Sequence, residues 1–413
     1  MSPGGRLASP TSLCHLACHH AQLPPFAPRC RHRRAPIPAA RAWAARYQGG
    51  AGPMIDLTQA VPGYPPHPEM LERLASAAGS RACAGYGAID GDLPLREALA
   101  ADVSAFYGAQ VGAGDVTITA GCNLAFTMAM TVLAGTGDAV LLPTPWYFNH
   151  RMALELLGID ALPFETRAED GFVPDPERLE AALTPQVRAV VLVSPNNPTG
   201  AVYPREVIAH IAAICRRKGI WLVLDETYRD FLPEDTCPPH DLFQDPEWRD
   251  GVVQLYSFAK SYCIPGHRVG AILGGGAFRF ELLKLVDTMQ ICPPRAAQAA
   301  LAWAVPALRE WRLANRGIMQ GRAVAFRDAM QQAPEWRIDA LGTYFAYLRL
   351  PSQAPDATRA AEILGSEHGL LTLPGPFFGP GQERHLRLAF ANVEEAALAA
   401  MPDRLRLPGT VPA

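Results

Sequence analysis

Short apolar runs that alternate with helical stretches are the feature that most constrains the fold of this 413-residue chain. The runs that we predict as strands are Asp115–Thr119, Ala139–Leu142, Ala189–Val193, Ile220–Leu224, Val252–Tyr256 and Ala271–Leu273. Most of them are continuously apolar, which is typical of strands that helices cover on both faces. The sequence therefore predicts an α/β large domain with a mainly parallel sheet flanked by helices.

The beginning of the chain differs in composition from the rest. Residues 1–34 are rich in Pro, Arg and His and contain neither Asp nor Glu. Because they lack a continuous apolar segment, we predict a disordered N-terminal extension rather than a secretory signal. Pro36-Ile37-Pro38 then predicts the start of a short helix, and we assign residues 35–60 to the N-terminal segment of a small domain.

The last part of the chain predicts a second unit. Arg- and Ala-rich helical stretches follow residue 305, together with strands at Tyr344–Leu350 and Leu386–Phe390. We therefore predict a large domain over residues 61–305 and a C-terminal small α+β domain over residues 306–413.

Charge and cysteine content argue against several classes of function. The net charge of −3 combines seven Arg without acids in residues 1–55 with 30 basic against 40 acidic residues in the remainder. The folded body therefore shows no electrostatic footprint for nucleic acid. The nine Cys are scattered, and even Cys14-His15 with Cys18-His19-His20 lacks the spacing of a zinc site, so we expect no metal. The same scattered cysteines lead us to expect a reduced, cytoplasmic compartment. No apolar run reaches membrane-spanning length, and we expect no membrane partner.

Polar motifs follow four of the predicted strands: Thr119-Ala120-Gly121-Cys122-Asn123, Ser194-Pro195-Asn196-Asn197-Pro198-Thr199-Gly200, Asp225-Glu226-Thr227-Tyr228 and Ser257-Phe258-Ala259-Lys260. Because ligands of open parallel sheets bind beyond the carboxyl ends of the strands, we expect these motifs to meet at one site. Singly, each has an ordinary alternative, such as a turn for Asn-Pro-Thr-Gly or a helix N-cap for Asp225. Ser-x-x-Lys also occurs in serine penicillin-recognising enzymes, but their Ser-Asp-Asn and Lys-Thr-Gly motifs are absent.

In their order along the chain, these motifs resemble those of class I/II aminotransferases, which are fold type I enzymes dependent on pyridoxal phosphate (PLP). The matching stretches, found within residues 36–405, are Tyr86-Gly87 with Gly91 and Leu95-Arg96, Asn197–Gly200, Asp225–Tyr228, Ser257–Lys260, Pro265–Gly270 and Leu386–Phe390. The resemblance implies PLP as cofactor, a large PLP-binding domain with a seven-stranded sheet, and a smaller α+β domain.

The resemblance assigns the chemistry at the cofactor ring to a few residues. Lys260 is implied to hold the PLP aldehyde as a Schiff base and to move a proton as general base and acid. Asp225 is implied to pair with the protonated ring nitrogen. Asn197 and Tyr228 match the donors to the 3′-oxygen of the ring.

The resemblance also implies a phosphate site. Ser257 and Arg268 match side chains that bind the phosphate. The backbone amides of Gly121, Cys122 and Asn123 are expected at a helix N-terminus, which suits an anion.

Two aromatic positions follow from the same resemblance. Tyr86 matches a tyrosine that reaches the phosphate from the neighbouring subunit, which implies a homodimer with shared active sites. Tyr147, after Pro143-Thr144-Pro145, is our choice for the ring that stacks on PLP, and Trp146 is the alternative.

The resemblance implies that three residues contact the substrate. Arg387 matches the residue that binds the substrate carboxylate, a contact that a guanidinium makes bidentately. Asn197 and Ala60 are the other two residues implied at the substrate; Ala60 stands where the family usually has glycine and is expected to narrow the carboxylate end of the pocket. Ala259 likewise replaces a usual serine.

No second arginine for a dicarboxylate substrate can be assigned from the sequence. Arg295 in Cys292-Pro293-Pro294-Arg295 is a candidate that could equally be solvated. Tyr64, Tyr147 and Phe377-Phe378 favour an apolar or aromatic side chain on the substrate.

The sequence thus predicts an enzyme that moves an amino group between an L-amino acid and a 2-oxo acid through a Lys260 aldimine and a quinonoid intermediate. Carbon–sulfur lyases and cyclising synthases on the same scaffold stay open, because they differ in the fate of that intermediate. A non-enzymatic PLP-binding sensor fused to a DNA-binding helix-turn-helix is a third alternative, but residues 1–34 are too short and proline-rich for such a domain.

Overall fold

The computed structural model describes residues 36–408. Its strands are β1 (Ile55–Asp56), β2 (Val116–Thr119), β3 (Ala139–Thr144), β4 (Asp160–Glu165), β5 (Val187–Val193), β6 (Trp221–Asp225), β7 (Val252–Ser257), β8 (Gly270–Leu273), β9 (Arg337–Gly342), β10 (Phe345–Arg349), β11 (Leu370–Leu371), β12 (Leu373–Pro374) and β13 (His385–Ala389). The predictions made for residues 1–34, including the Cys14 and Cys18 region, lie outside the described residues.

The helices are α1 (Pro36–Ala44), α2 (Pro68–Ala78), α3 (Arg81–Ala84), α4 (Leu93–Tyr107), α5 (Cys122–Leu133), α6 (Phe148–Leu157), α7 (Pro176–Ala182), α8 (Arg205–Lys218), α9 (Phe258–Ser261), α10 (Gly276–Gln290), α11 (Arg295–Ala307), α12 (Arg309–Met330), α13 (Ala357–Ser366) and α14 (Glu395–Ala399). The helix predicted to start at Pro36 is confirmed. Within residues 36–408, none of these helices combines the length and apolarity that crossing a membrane requires.

A sheet of seven strands forms the centre of the larger part, in the order β2-β8-β7-β6-β5-β3-β4. β8 is antiparallel to β2 and β7, while the other neighbours are parallel. Leu192 and Leu224 belong to the buried apolar cluster on one face, and Val191 and Val223 to the cluster on the other. Helices supply the rest of both clusters, which confirms the predicted mainly parallel α/β sheet.

Six of the seven strands were predicted, with bounds that differ by no more than two residues. The missing one is β4, at the edge of the sheet. Most of its residues are exposed or half-buried. Pro163 has no backbone N–H to donate to a neighbouring strand, and proline in a sheet is typical of an edge strand. It therefore lacks the continuous apolar run by which the other strands were recognised.

The second unit is built on a four-stranded antiparallel sheet in the order β12-β13-β10-β9. The predicted strands Tyr344–Leu350 and Leu386–Phe390 correspond to β10 and β13. β1 pairs in parallel with β11 through Ile55 and Leu370, so the N-terminal segment packs with this unit. The domain boundaries at residues 60 and 305 stay predictions.

Strand direction in the large sheet positions the site. β2, β5, β6 and β7 run in one direction, so their carboxyl ends meet at the same edge. The polar motifs that follow these four strands are therefore brought together there.

Candidate active site

A cavity of about 320 Å³ opens at the carboxyl ends of β5, β6 and β7. The predicted site residues on its wall are Ala60, Cys122, Asn123, Tyr147, Asn197, Asp225, Tyr228, Ser257, Lys260, Arg268 and Arg387. Within the described range, no group of three or more His, Cys, Asp or Glu is arranged to hold a metal ion.

Lys260 reaches the cavity from α9, a single helical turn that follows β7 directly. Its Nζ donates to the carbonyl oxygen of Ala60 and lies 6.0 Å from the centre of the Tyr228 ring. Burial, and then the positive charges of Arg387 and Arg268, lower the pKa of Lys260 to about 8. More of this amine is therefore neutral near neutral pH than in a free lysine, and the neutral amine is the form that attacks a carbonyl.

Asp225 ends β6 and is 4% exposed. Its Oδ1 accepts hydrogen bonds from Thr227 N (3.0 Å) and Thr227 Oγ1 (2.6 Å), and its Oδ2 lies 3.1 Å from His150 Nε2. Burial alone would raise the pKa of Asp225, but the contacts with His150 and Thr227 hold it below its ordinary value. Asp225 is therefore kept as a carboxylate inside the protein.

His150 was missed by the sequence reasoning. It is almost fully buried and stacks on Phe126, with ring centres 3.9 Å apart. It lies three residues after Tyr147, one helical turn further along the segment that enters α6. That spacing was the available signal, because residues three apart share a helix face.

The N-terminus of α5 and Arg268 form a compact anion cradle. Gly121 is the N-cap of α5, with φ +93° and ψ 160°, and its own amide donates to the carbonyl oxygen of Thr119 at 2.8 Å. Of the three predicted amides, those of Cys122 and Asn123, which line the cavity wall, are therefore the candidate donors. The guanidinium of Arg268 packs directly on Gly121, and a Cβ at that position would lie 2.8 Å from Arg268 Cζ. Ser257 adds a hydroxyl at the end of β7. Fixed amides, a hydroxyl and a guanidinium together suit a phosphate group.

Arg387 enters the same cavity from β13, in the second unit. It is 2% exposed; Nη1 donates to Asn197 Oδ1 over 3.2 Å, and Nη2 donates to the carbonyl oxygen of Thr58. Its Nε is buried and has no partner among the described residues. Burial lowers the pKa of Arg387 to about 10, because a buried positive charge is costly. A bound anion would offset that cost.

The two candidates for the stacking ring occupy different environments. Tyr147 lines the cavity, and its hydroxyl contacts Asn123 Oδ1 at 3.4 Å and accepts from Asn149 Nδ2 at 2.8 Å. Trp146 is 7% exposed and belongs to the apolar cluster under the sheet. Of the two rings, Tyr147 is the one on the cavity wall, and its role as the stacking ring stays a prediction.

Several predicted residues are not part of the cavity wall in their own chain: Tyr64, Tyr86, Arg295, Phe377 and Phe378. Tyr86 is 81% exposed and is not part of the wall. The guanidinium of Arg295 contacts Asp92 through Nε at 3.2 Å and donates to the carbonyl oxygen of Ala82. Arg295 is therefore held by contacts within its own chain, and it does not line the cavity of that chain.

Some residues of the wall were not predicted. Ile37 of α1 and Phe148 of α6 give it an apolar side, while Asn149 and Gln59 add uncharged polar groups. Ile37 comes from a segment far from the strand-end motifs in the sequence, so no local pattern marks it.

The comparisons with known proteins agree with this architecture. The family model described as aminotransferase class I and II matches residues 52–405. The chain is 27% identical over 360 residues to the aromatic aminotransferase ISS1 of Arabidopsis thaliana, covering 85% of this chain and 89% of that protein. It is 28% identical over 371 residues to an aspartate/prephenate aminotransferase of Thermus thermophilus, covering 86% and 92%.

Solved structures give the same result. The aspartate aminotransferase from Thermus thermophilus with maleate superposes with a TM-score of 0.84 at 27% identity, over 92% of this chain and 99% of that chain. An aminotransferase from Mycobacterium tuberculosis gives a TM-score of 0.84 at 25% identity, over 93% and 98%. The fold and enzyme class predicted from the motifs are confirmed. The chain therefore belongs to the class I and II aminotransferases, fold type I enzymes that transfer amino groups between amino acids and 2-oxo acids and in general use PLP and form dimers.

Proposed function

We propose that this chain binds PLP in the cavity at the strand ends and uses it to exchange an amino group between an uncharged L-amino acid and a 2-oxo acid. The observation that carries the proposal is the convergence of three groups on one cavity wall: the Lys260 amine, the Asp225 carboxylate and the partly unpartnered Arg387 guanidinium. Each has a chemical environment that the reaction requires.

The residues present fit PLP. A phosphate would contact the α5 amides, Ser257 and Arg268. The guanidinium of Arg268 fits there because Gly121 has no side chain. Asp225, ionised and held by His150 and Thr227, is our candidate for the partner of the ring nitrogen. When bound, PLP supplies an aldehyde and an electron-withdrawing ring that accepts the amino group and stabilises negative charge at Cα.

The chain's own contribution to the reaction is proton movement and orientation. With a pKa of about 8, Lys260 can take a proton from the substrate Cα and return one near neutral pH. Tyr228 and Asn197 are our candidates for hydrogen bonds to the cofactor oxygen. Tyr147 would hold the ring from the side.

Arg387 and Asn197 are proposed to hold the substrate carboxylate, because Arg387 Nε is buried without a partner among the described residues. The cationic side chains on the described wall are Lys260, Arg268 and Arg387. All have roles in the proposal, and Ile37 and Phe148 provide an apolar surface. We therefore propose that the substrate side chain is apolar or aromatic.

We also propose a homodimer in which Tyr86 reaches the phosphate of the neighbouring subunit. Its 81% exposure in the single chain supports this role. The described cysteines are free thiols, which supports the proposed cytoplasmic location.

A donor panel tests the proposed reaction. Protein loaded with PLP is incubated with a 2-oxo acid and leucine, phenylalanine, aspartate or arginine, and new amino acids are measured by mass spectrometry. We expect leucine and phenylalanine to exceed the charged donors, and Lys260→Ala to abolish turnover. Lys284→Ala, at a surface lysine, is the matched control. Cysteine is added as a fifth donor, and release of ammonia and sulfide from it without a new amino acid would identify a lyase instead.

A further inference from the structure

A buried cluster of charges lies beside the candidate active site, outside the cavity wall. It contains Asp102 of α4, Arg229 and Asp230 from the turn after β6, and Arg312 of α12. Asp102 accepts from Arg229 Nη2 and from Arg312 Nη2, each at 2.7 Å, and Arg312 Nη1 donates to Asp230 Oδ1 at 2.9 Å. The side chains of Arg229 and Arg312 are 1% and 8% exposed. Two positive charges are thus balanced by two negative ones.

Asp230 connects this cluster to the segment that carries Lys260. Its Oδ2 accepts hydrogen bonds from Ser261 Oγ and, at 2.6 Å, from Tyr256 Oη. Burial would raise the pKa of Asp230, but the charges of Arg312 and Arg229 and the two hydroxyl donors hold it below its ordinary value. Asp230 is therefore a fixed carboxylate that binds two hydroxyls from β7 and α9.

Three residues of the cluster and its connection are chain neighbours of cavity residues. Ser261 follows Lys260, Tyr256 precedes Ser257, and Arg229 follows Tyr228. Helix α9 has only four residues. A single turn of helix is not stable by itself, so the direction of the Lys260 side chain depends on what anchors the turn.

A gain in folding stability would not by itself explain this buried charge cluster. Desolvation of buried ions offsets most of their attraction, and apolar residues of similar volume often stabilise a protein as well. A fixed carboxylate with directional acceptors, in contrast, defines the position of the groups that donate to it.

We propose that Asp230 is a positioning residue that orients Lys260 through Ser261, with Arg312 and Arg229 holding the carboxylate in place. The proposal rests on the proposed function, since it concerns how Lys260 meets PLP. Arg387 does not take part in the cluster, so substrate affinity is expected to be spared.

The test compares Asp230→Asn and Ser261→Ala with Asp115→Asn. Asp115 is a matched control because it is also a buried carboxylate paired with an arginine, here the partly exposed Arg249 at 2.7 Å, but lies before β2 and away from the cavity wall. PLP is mixed with the PLP-free proteins, and formation of the covalent Lys260–PLP linkage is followed by stopped-flow absorbance. Thermal stability, kcat and the KM for the amino donor are then measured.

We expect Asp230→Asn and Ser261→Ala to form the linkage about tenfold more slowly, and kcat to fall about 10- to 100-fold, with KM within about threefold of the parent. Asp115→Asn should keep the parent linkage rate and kcat. If Asp230→Asn does not fold, Ser261→Ala decides alone. A lower Tm with unchanged linkage rate and kcat would mean a structural role and overturn the proposal. Parent protein that forms no linkage would overturn the proposed function itself, a result that the variants cannot imitate.

Discussion

Replacing Gly121 by alanine should weaken PLP binding, because two local requirements for glycine meet at this position. Its φ of +93° and ψ of 160° lie in a region that is almost exclusive to glycine. An added Cβ would also lie 2.8 Å from Arg268 Cζ and overlap Nη2. The substitution therefore strains the backbone and displaces the guanidinium that we propose for the phosphate.

The two effects have separable magnitudes. Backbone strain of this kind costs about 1–3 kcal/mol of folding free energy. Loss of one hydrogen bond to a charged group costs about 1.5–3 kcal/mol, which corresponds to a PLP dissociation constant raised about 10- to 150-fold. Gly137→Ala is the matched control, because Gly137 has the same φ of +93° but no atom within 4 Å of an added Cβ. It should show strain without weaker binding.

The assay combines urea unfolding of the PLP-free proteins with PLP titration followed by absorbance. We expect both variants to lose stability and only Gly121→Ala to lose affinity for PLP. Equal PLP affinity in the two variants would refute the reasoning that Arg268 and the Gly121 turn form the phosphate site.

Three further predictions concern titration and recognition. Because the pKa of Lys260 is lowered to about 8, half of this amine is neutral at that pH, so PLP capture should accelerate through about pH 8 and level off roughly one pH unit above it. A rate still rising steeply at pH 10, the ordinary range of lysine, would contradict this. In His150→Ala, loss of the contact to Asp225 should raise the pKa of that carboxylate. The acidic limb of the kcat/KM profile should then move to higher pH, unlike in the surface variant His210→Ala. Arg387→Lys should raise the KM for the amino donor by about 10- to 100-fold, since bidentate geometry is lost, while PLP affinity measured by titration stays unchanged.

The large sheet and most of the cavity wall could be predicted because the relevant signals are local. Asp225 and Ser257 each end a continuous apolar strand, and a parallel sheet brings such positions to one edge. The sequence favoured Tyr147 over Trp146 as the ring that stacks on PLP only through the resemblance to the family. In the structure the Tyr147 ring lines the cavity and the Trp146 ring packs under the sheet, an arrangement that no local sequence pattern marks.

The groups around these residues could not be predicted, because their partners are distant in sequence. Arg312 lies 82 residues from Asp230 and 210 from Asp102. In α12 it is one of several arginines at exposed and buried positions, and composition does not distinguish a buried ion pair from a solvated side chain. Strand β4 was missed for a related reason: its edge position gives it no apolar pattern.

The reactivity of Lys260 depends on both sheets, although its motif belongs to one. Arg387 lowers the pKa of Lys260, and the carbonyl oxygen that accepts from Lys260 Nζ belongs to Ala60, 200 residues earlier in the chain. A carboxylate bound at Arg387 would offset part of the positive charge that Lys260 experiences. We therefore expect the pKa of Lys260 to rise when substrate binds, so that each neutral amine is a stronger base for the Cα proton although a smaller fraction of the amine is neutral at a given pH.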